Sequence, residues 1–178
     1  MKKKIYITGC AKSGTTLVRR LFNAFEELNV YNKKEITPAD FINSEYDVGK
    51  RSYISLFSGK MNKQSIQQHT KIYQNLIVID VLRNKKDVLK SDNGYVTADR
   101  YDACIEQRKQ YGTLIHYTII YEKLIENPNQ IQKEISELLG LKIKHKWSEY
   151  PKFIDVSQET PKTHKGIYKL RPIGAPKN

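Results

Sequence analysis

A short loop near the N-terminus is bounded by Gly9 and Gly14 and has the residue types that bind phosphate. Glycines at this spacing are typical of loops whose backbone amides surround a phosphate group. Thr15 and Thr16 follow at the start of a predicted helix and add two hydroxyls. In kinases and NTPases a lysine directly follows the second glycine, but here the lysine is Lys12, inside the loop. The pattern predicts an oxyanion site; the competing interpretation is an ordinary strand-to-helix turn with a solvated lysine.

A second group of candidate binding residues follows the most apolar segment of the chain. Residues 76–82 have the sequence Leu-Ile-Val-Ile-Asp-Val-Leu, which is typical of a central parallel strand covered on both faces. Arg83 comes directly after this segment, and Ser91 lies eight residues further on. An arginine presents a planar fork to two phosphate oxygens, and a serine can add a hydroxyl. Taken singly, Arg83 could be a surface arginine and Ser91 a helix terminator, so the hypothesis depends on the two together.

These motifs, in this order, resemble the sulfotransferases that use 3'-phosphoadenylyl sulfate (PAPS). The run Lys12-Ser13-Gly14-Thr15-Thr16 is similar to that family's loop for the 5'-phosphosulfate, and its continuation through Leu-Val-Arg is especially similar to the tyrosylprotein branch. Arg83 and Ser91 stand at the spacing of the family's pair for the 3'-phosphate. The resemblance covers most of residues 5–141, including a mainly architectural block from 120 to 141. Only the loop and the Arg83/Ser91 pair are specific.

The resemblance implies a reaction and a donor site. The reaction is transfer of a sulfuryl group from PAPS to a hydroxyl or amine acceptor, with adenosine 3',5'-bisphosphate (PAP) as the product and no metal required. Lys12 would stabilise charge on the leaving phosphate. The implied donor-binding residues are Lys12, Ser13, Gly14, Thr15 and Thr16 for the 5' end, and Arg83 and Ser91 for the 3'-phosphate.

A catalytic base and a donor lid are also implied by the resemblance. The Lys-x-His motif of the cytosolic members is absent, whereas Glu35 occupies the place of the glutamate base in the tyrosylprotein branch. His69 is the competing candidate. Lys165-Gly166 partly matches the C-terminal segment that closes over the 3'-phosphate in the family. Lys165 and Arg171 are therefore candidates for such a lid, and a flexible basic tail is the alternative.

Charge and composition limit the binding partners and the cellular location that we expect. The 31 Lys and Arg residues outnumber 19 Asp and Glu residues, and the net charge of +12 favours an anionic partner. Two cysteines exclude a disulfide scaffold, and no Cys/His spacing predicts a metal site. Without a signal-peptide core or an apolar run of membrane length, we expect a cytoplasmic protein with a small-molecule or glycan acceptor and no nucleic-acid partner. A second subunit of a homo-oligomer could complete the acceptor site, because the chain is short for the family.

The predicted strands and helices that must position these residues indicate an α/β fold. We expect one domain over residues 1–178, with three α/β/α layers and a central parallel sheet of about five strands, as in the P-loop NTPase-like sulfotransferase fold. Apolar periodicity predicts strands at 5–7, 29–31, 52–57, 76–82 and 115–121. It predicts helices at 16–28, 62–75, 85–90 and 99–111, a helical turn starting near 38–40, and a last helix from Pro128 to Gly140. Residues 142–178 are predicted to be irregular and basic.

Two other functions stay open. A P-loop kinase would have lysine in place of Thr15 and a strand-end aspartate for magnesium, whereas Asp80 lies inside its predicted strand. A non-catalytic polyanion binder would rely on charge and on exposed aromatic residues of the C-terminal segment, such as Tyr150 and Phe153. Under the sulfotransferase hypothesis, we expect residues 37–74 and the C-terminal tail to form the acceptor pocket.

Overall fold

A parallel sheet organises the protein. The computed structural model describes residues 3–33, 35–52, 75–91, 94–110 and 112–154. Within them the sheet contains β1 (Lys4–Gly9), β2 (Val48–Lys50), β3 (Leu76–Leu82) and β4 (Tyr117–Ile120), in the spatial order β2-β1-β3-β4. The chain leaves β1 for one edge of the sheet and later returns to the other side of β1. The carboxyl ends of β1 and β3 are therefore a topological switch point, where ligands of open α/β sheets bind.

The helices flank this sheet. They are α1 (Thr15–Leu21), α2 (Pro38–Ile42), α3 (Lys85–Lys90), α4 (Ala98–Gln110), α5 (Tyr121–Glu126), α6 (Pro128–Leu139) and α7 (Pro151–Ile154), with short 3-10 turns at Phe22–Ala24, Gly112–Leu114 and Trp147–Glu149. None of the helices in the described ranges is long and apolar enough to cross a bilayer.

Neighbouring side chains along the strands belong to two separate apolar cores. Ile5, Ile7 and Ile79 belong to one core, which also contains apolar side chains of α1, α5 and α6. Tyr6 and Val78 belong to the other, together with side chains of α2, α3 and α4. Because neighbouring residues of a strand point to opposite faces, the two cores lie on opposite faces of the sheet. The apolar run at β3 is buried on both faces, as its composition predicts.

The second strand is not where the sequence pattern predicts it. Residues 29–31 do not form a strand; Val30 makes one isolated parallel bridge to Val48, and the strand is β2. A three-residue strand with the sequence Val-Gly-Lys is too short to show the alternation that reveals a strand. The predicted strand 52–57 and helix 62–75 fall outside the described residues. The described sheet therefore has four strands where about five are predicted.

Several helix boundaries also differ from the predictions. The first helix ends at Leu21 and continues only as a 3-10 turn, instead of reaching residue 28. Tyr121 begins α5 rather than ending the fourth strand. The predicted start of the last helix at Pro128 and its end at Gly140 are confirmed, with Gly140 in the left-handed conformation. Asn127 precedes Pro128 at the cap position, but its side chain makes no capping hydrogen bond.

Trp147 packs the described part of the predicted irregular segment, residues 142–154, onto the rest of the protein, and this part contains the 3-10 turn Trp147–Glu149 and α7. Trp147 is fully buried, and its ring contacts Phe22 and Phe25 edge-on. Its indole Nε1 donates to the Leu21 carbonyl at 2.9 Å, and its backbone amide donates to Gln132 Oε1 at 2.9 Å. This one side chain joins the C-terminal segment to the end of α1 and to α6. The single-domain organisation over 1–178 stays a prediction, since 155–178 are outside the described residues.

Replacing Trp147 should therefore destabilise the whole sheet-and-helix unit. We expect Trp147→Ala to lower the free energy of unfolding by roughly 3–5 kcal/mol, because it empties a buried ring site. Trp147→Phe should cost less, but should leave the Leu21 carbonyl without its donor, at about 1–3 kcal/mol. Urea unfolding measures both, with the half-exposed Leu138→Ala as a control expected to stay within about 0.5 kcal/mol of wild type. Equal effects of Trp147→Ala and Leu138→Ala would contradict the assignment.

Candidate anion-binding site

The glycine loop (residues 9–14) connects β1 to α1 and lies against the end of β3. Gly9 has φ +148°, and a Cβ there would lie 2.5 Å from the Val81 carbonyl oxygen. The loop turns back on itself, since the Ser13 amide donates to the Cys10 carbonyl at 3.1 Å. Lys12 adopts a left-handed φ of 69° on the crown of the loop. The close packing of β1 on β3 thus requires glycine at position 9.

A tyrosine ring closes the other end of the loop. Gly14 has φ +101°, and a Cβ there would lie 2.4 Å from Cδ2 of Tyr121. Tyr121 begins α5 directly after β4 and is almost fully buried. On the same ring, the guanidinium carbon of Arg83 lies 4.4 Å from the centroid, and Lys152 Nζ lies 5.8 Å from it. A buried aromatic ring in cation–π contact with two basic side chains holds them beside the loop.

Arg83 links the loop to the end of β3. Its Nη1 donates to the Lys12 carbonyl at 3.1 Å, and its own carbonyl accepts from the Tyr101 hydroxyl at 2.7 Å. Glu122 accepts from the Asn84 amide at 3.0 Å and so holds the next residue of the same turn. Arg83 Nε is buried and has no hydrogen-bond partner within the described residues. These contacts orient the Arg83 guanidinium, and its Nε donor makes no hydrogen bond within the described residues.

A main cavity of about 900 Å³ brings the predicted site residues together. Four separate stretches of sequence contribute to its described lining: the glycine loop with the start of α1, the segment at Glu35, the end of β2 with Ser52, and the segment from Arg83 to Tyr95. The predicted residues that line it are Lys12, Gly14, Thr15, Thr16, Glu35, Arg83 and Ser91, and the lining residues not predicted are Ala11, Lys50, Ser52 and Tyr95. Lys165 and Arg171 fall outside the described residues.

Two of the predicted hydroxyls are not turned toward a ligand. Ser13 is 1% exposed and does not line the main cavity, and its Oγ has no hydrogen-bond partner among the described residues. Ser91 lines the cavity at the end of α3, but its hydroxyl donates to the Val88 carbonyl at 2.9 Å. A serine hydroxyl has one proton to donate. Ser91 would have to release this bond before it could donate to a phosphate oxygen.

Glu35 is paired with a lysine that the sequence pattern did not reveal. Lys50, the last residue of β2, lies with Nζ 3.4 Å from Glu35 Oε1, and the Ser52 amide donates to the same oxygen at 3.3 Å. Burial lowers the pKa of Lys50, and the adjacent Glu35 carboxylate partly offsets this effect. The carboxylate is thus held at the carboxyl edge of the sheet by β2. The sequence pattern did not reveal Lys50 because it did not reveal β2, and Lys50 can be placed near Glu35 only when that strand is known.

A smaller side cavity of about 480 Å³ adjoins the main one. The two cavities share Thr16, Glu35 and Lys50. The remaining lining residues of the side cavity are Arg19, Arg20, Asn32 and Lys33. Arg19 is 2% exposed and donates to the carbonyl groups of Lys33 and Asn32, so it fixes the wall of the side cavity.

Other candidate reactive groups in the described residues have structural partners. Cys10 and Cys104 are buried, and a hydrogen bond to Cys104, together with burial, raises the pKa of the Cys10 thiol. A thiol that stays protonated is a poor nucleophile. Asp80 is fully buried and accepts from Arg108 Nε at 2.7 Å. His116 Nδ1 accepts from the Val78 amide at 3.1 Å.

The chain matches no family model, and no curated protein matches it. In the described ranges, His, Cys, Asp and Glu side chains form no group of three that could hold a metal.

The contact of Gly14 with Tyr121 can be tested with a double-mutant cycle. Gly14→Ala should destabilise the protein by about 2–4 kcal/mol, because backbone strain at positive φ adds to overpacking against the ring. Most of the packing part should disappear in a Tyr121→Ala background. Gly140→Ala is the matched control, with φ +64° and nothing within 4 Å of the added Cβ, and should cost about 1–2 kcal/mol. Equal costs of Gly14→Ala in both backgrounds, measured by urea unfolding, would contradict the contact.

The Lys50–Glu35 pair makes a prediction about pH. The pKa of Lys50 should lie below its ordinary value of 10.5, because burial disfavours the charged form. Glu35→Gln should lower that pKa further, since it removes the carboxylate charge that raises the pKa of Lys50. Between the lowered pKa and 10.5 the unfolded chain binds more protons than the folded one, so stability should rise with pH in that window. Side-chain NMR of Lys50 tests this; a pKa unchanged or raised by Glu35→Gln would overturn it.

Proposed function

We propose that the protein is a PAPS-dependent sulfotransferase. The observation that carries the proposal is the lining of the main cavity, in which Lys12, Arg83 and Glu35 come from three separate segments of the chain. A donor with a charged group at each end needs two cationic anchors, and the acceptor needs a base beside one of them. A volume of about 900 Å³ is adequate for a nucleotide-sized ligand.

The residues present fit such a donor. Arg83 has a buried Nε without a partner in the described part of the chain, and the Tyr121 ring orients its guanidinium. Arginine in a fixed orientation suits a phosphate group, so we assign it to the 3'-phosphate, with Ser91. Lys12, Thr15 and Thr16 line the same cavity and are assigned to the 5'-phosphosulfate.

The proposed chemistry gives each of these residues a distinct role. In the transfer, the acceptor oxygen forms a bond to sulfur while the bond from sulfur to the bridging phosphate oxygen breaks, and that electron pair leaves with PAP. Glu35 accepts the proton of the acceptor hydroxyl. Lys12 stabilises the charge that develops on the leaving phosphate oxygen. Lys50, at 3.4 Å from Glu35, keeps that carboxylate in place.

Several parts of this proposal come from the family resemblance rather than from the cavity. They are the closing of Lys165 and Arg171 over the 3'-phosphate, the cytoplasmic location, the absence of a metal requirement, and a homo-oligomer that completes the acceptor site. A small-molecule or glycan acceptor is part of the same proposal.

A P-loop kinase is the main alternative. It would need a metal-binding carboxylate at the nucleotide phosphates, but Asp80 is bonded to Arg108 and does not line the main cavity. Thr15 also occupies the position of the P-loop lysine. A non-catalytic polyanion binder would use the same basic residues without distinguishing one nucleotide from another.

Ligand binding separates these three functions. We expect PAP to raise the melting temperature of the wild-type protein more than ATP–Mg²⁺ does. Arg83→Ala should weaken PAP binding by roughly 10- to 100-fold, the loss expected for charge-assisted hydrogen bonds. Lys86→Ala is the matched control, because it removes the same charge from the exposed side of α3 and should change binding by less than about twofold.

The other outcomes each favour a rival. Stabilisation by ATP–Mg²⁺ alone would support the kinase and overturn the sulfotransferase proposal. Equal binding of PAP, ATP and a mixed-sequence oligonucleotide, with no loss in Arg83→Ala or Lys12→Ala, would support the polyanion binder. Transfer of labelled sulfate from PAPS to an acceptor, lost in Lys12→Ala, would confirm the reaction itself.

A further inference from the structure

The side cavity adjoins the proposed reaction centre at Glu35, the proposed catalytic base. Of its seven described lining residues, Thr16, Glu35 and Lys50 also line the main cavity. Glu35 therefore borders both spaces: the main cavity, assigned to the donor, and the side cavity, which has no assigned ligand. Lys12 and Arg83 do not line the side cavity, so a molecule there would lie beside the Glu35 carboxylate and apart from these two proposed donor residues. This position is the one that an acceptor must occupy.

The lining of the side cavity is strongly basic. Among its described lining residues are four cationic side chains and one carboxylate; the cations are Arg19, Arg20, Lys33 and Lys50, and the carboxylate is Glu35. Lys50 is paired with Glu35, and Arg19 donates to backbone carbonyl groups of Asn32 and Lys33.

The side chains of Arg20 and Lys33 can therefore bind a ligand in the side cavity. Within the described residues, no hydrogen bond or salt bridge is formed by the side chain of either. An anion is the ligand group that such a surface stabilises.

The density of positive charge around the side cavity also affects the pKa of Arg19, which lies in the cavity wall. Burial, followed by the charge of Arg20, lowers the pKa of Arg19. Arg19 and Arg20 likewise lower the pKa of Lys50, after the larger effect of burial. Like charges placed this closely raise the free energy of the folded protein unless an anion neutralises them. A bound carboxylate or sulfate in the side cavity would supply that neutralisation.

We infer that the acceptor is an anionic hydroxyl compound, whose carboxylate or sulfate group binds Arg20 and Lys33 in the side cavity while its hydroxyl faces Glu35. This inference rests on the proposed function. A volume of about 480 Å³ suits a molecule the size of a monosaccharide. The acceptor hydroxyl loses its proton to Glu35 and gains the sulfuryl group, as described above, and its anionic group takes no part in the bond changes.

The test compares sugars that share one ring and differ in the group at carbon 6, which sets their charge. Methyl β-D-glucuronide supplies a carboxylate, the 6-sulfate of methyl β-D-glucoside supplies a sulfate, and methyl β-D-glucoside itself is the neutral member. Binding of each to the wild-type protein is measured by calorimetry in the presence of saturating PAP, so that the donor site is occupied. We expect at least one anionic member to bind roughly tenfold or more tightly than the neutral one. The two anionic arms distinguish a carboxylate from a sulfate ligand.

Variants of Arg20 connect the preference to the side cavity. Arg20→Gln should remove about tenfold of the affinity for the anionic member and leave that for the neutral sugar unchanged. Arg20→Lys, which keeps the charge, should restore much of the preference. Lys109→Gln is the charge-matched control; Lys109 is an exposed residue of α4 that lines neither cavity. Binding of PAP should be the same in all of these variants.

The outcomes separate this inference from the proposed function. If PAP does not bind the wild-type protein, the proposed function is overturned, and the inference with it. If PAP binds but no anionic sugar is preferred over the neutral one, or none binds measurably, the anionic-acceptor inference alone is overturned. An equal loss for charged and neutral sugars in Arg20→Gln would also overturn it, because that result indicates a change of cavity shape rather than of charge.

Discussion

The packing of the Tyr121 ring against Gly14 is the contact on which the candidate site depends. One side of the ring occupies the space that a Cβ at position 14 would need, and a guanidinium from the end of β3 stacks on the ring. The same guanidinium donates to the Lys12 carbonyl. Three chain segments that follow β1, β3 and β4 are therefore held together at one edge of the sheet. A smaller side chain than tyrosine would leave both the loop and the arginine without this support.

Parallel pairing explains why these segments meet. Gly9 is opposite Val81 in the register of β1 and β3, and Leu82 is opposite Ile120 in that of β3 and β4. Each strand thus delivers the residues that follow it to the same edge. The strand order changes direction between β1 and β3, which leaves a crevice at their carboxyl ends. The main cavity lies in this crevice, and the side cavity extends from it toward α1 and residues 32–35.

The distribution of charge around Glu35 is consistent with the roles proposed for the two cavities. Among the described lining residues, Glu35 is the one carboxylate in either cavity, and it is shared by both. Basic side chains surround it: Lys12 and Arg83 on the side of the main cavity, Arg20 and Lys33 on the other. If the proposed donor and acceptor are both negatively charged, a cation between them reduces their mutual repulsion. Lys50, between the two cavities and bonded to Glu35, occupies that position.

The amino-acid sequence by itself determined the features that depend on neighbouring residues. The apolar run of β3, the glycine loop with Lys12, the arginine after β3 and the Pro128-to-Gly140 helix are all local patterns, and each lies where its pattern predicts. Tertiary structure alone decided that Lys50 lies beside Glu35, that Tyr121 fills the space at Gly14, and that Trp147 packs residues 142–154 onto the rest of the protein. These contacts join residues far apart in sequence, and a three-residue strand or a single buried ring produces no periodicity. Their positions follow from strand pairing and from close packing, which act only once the chain is folded.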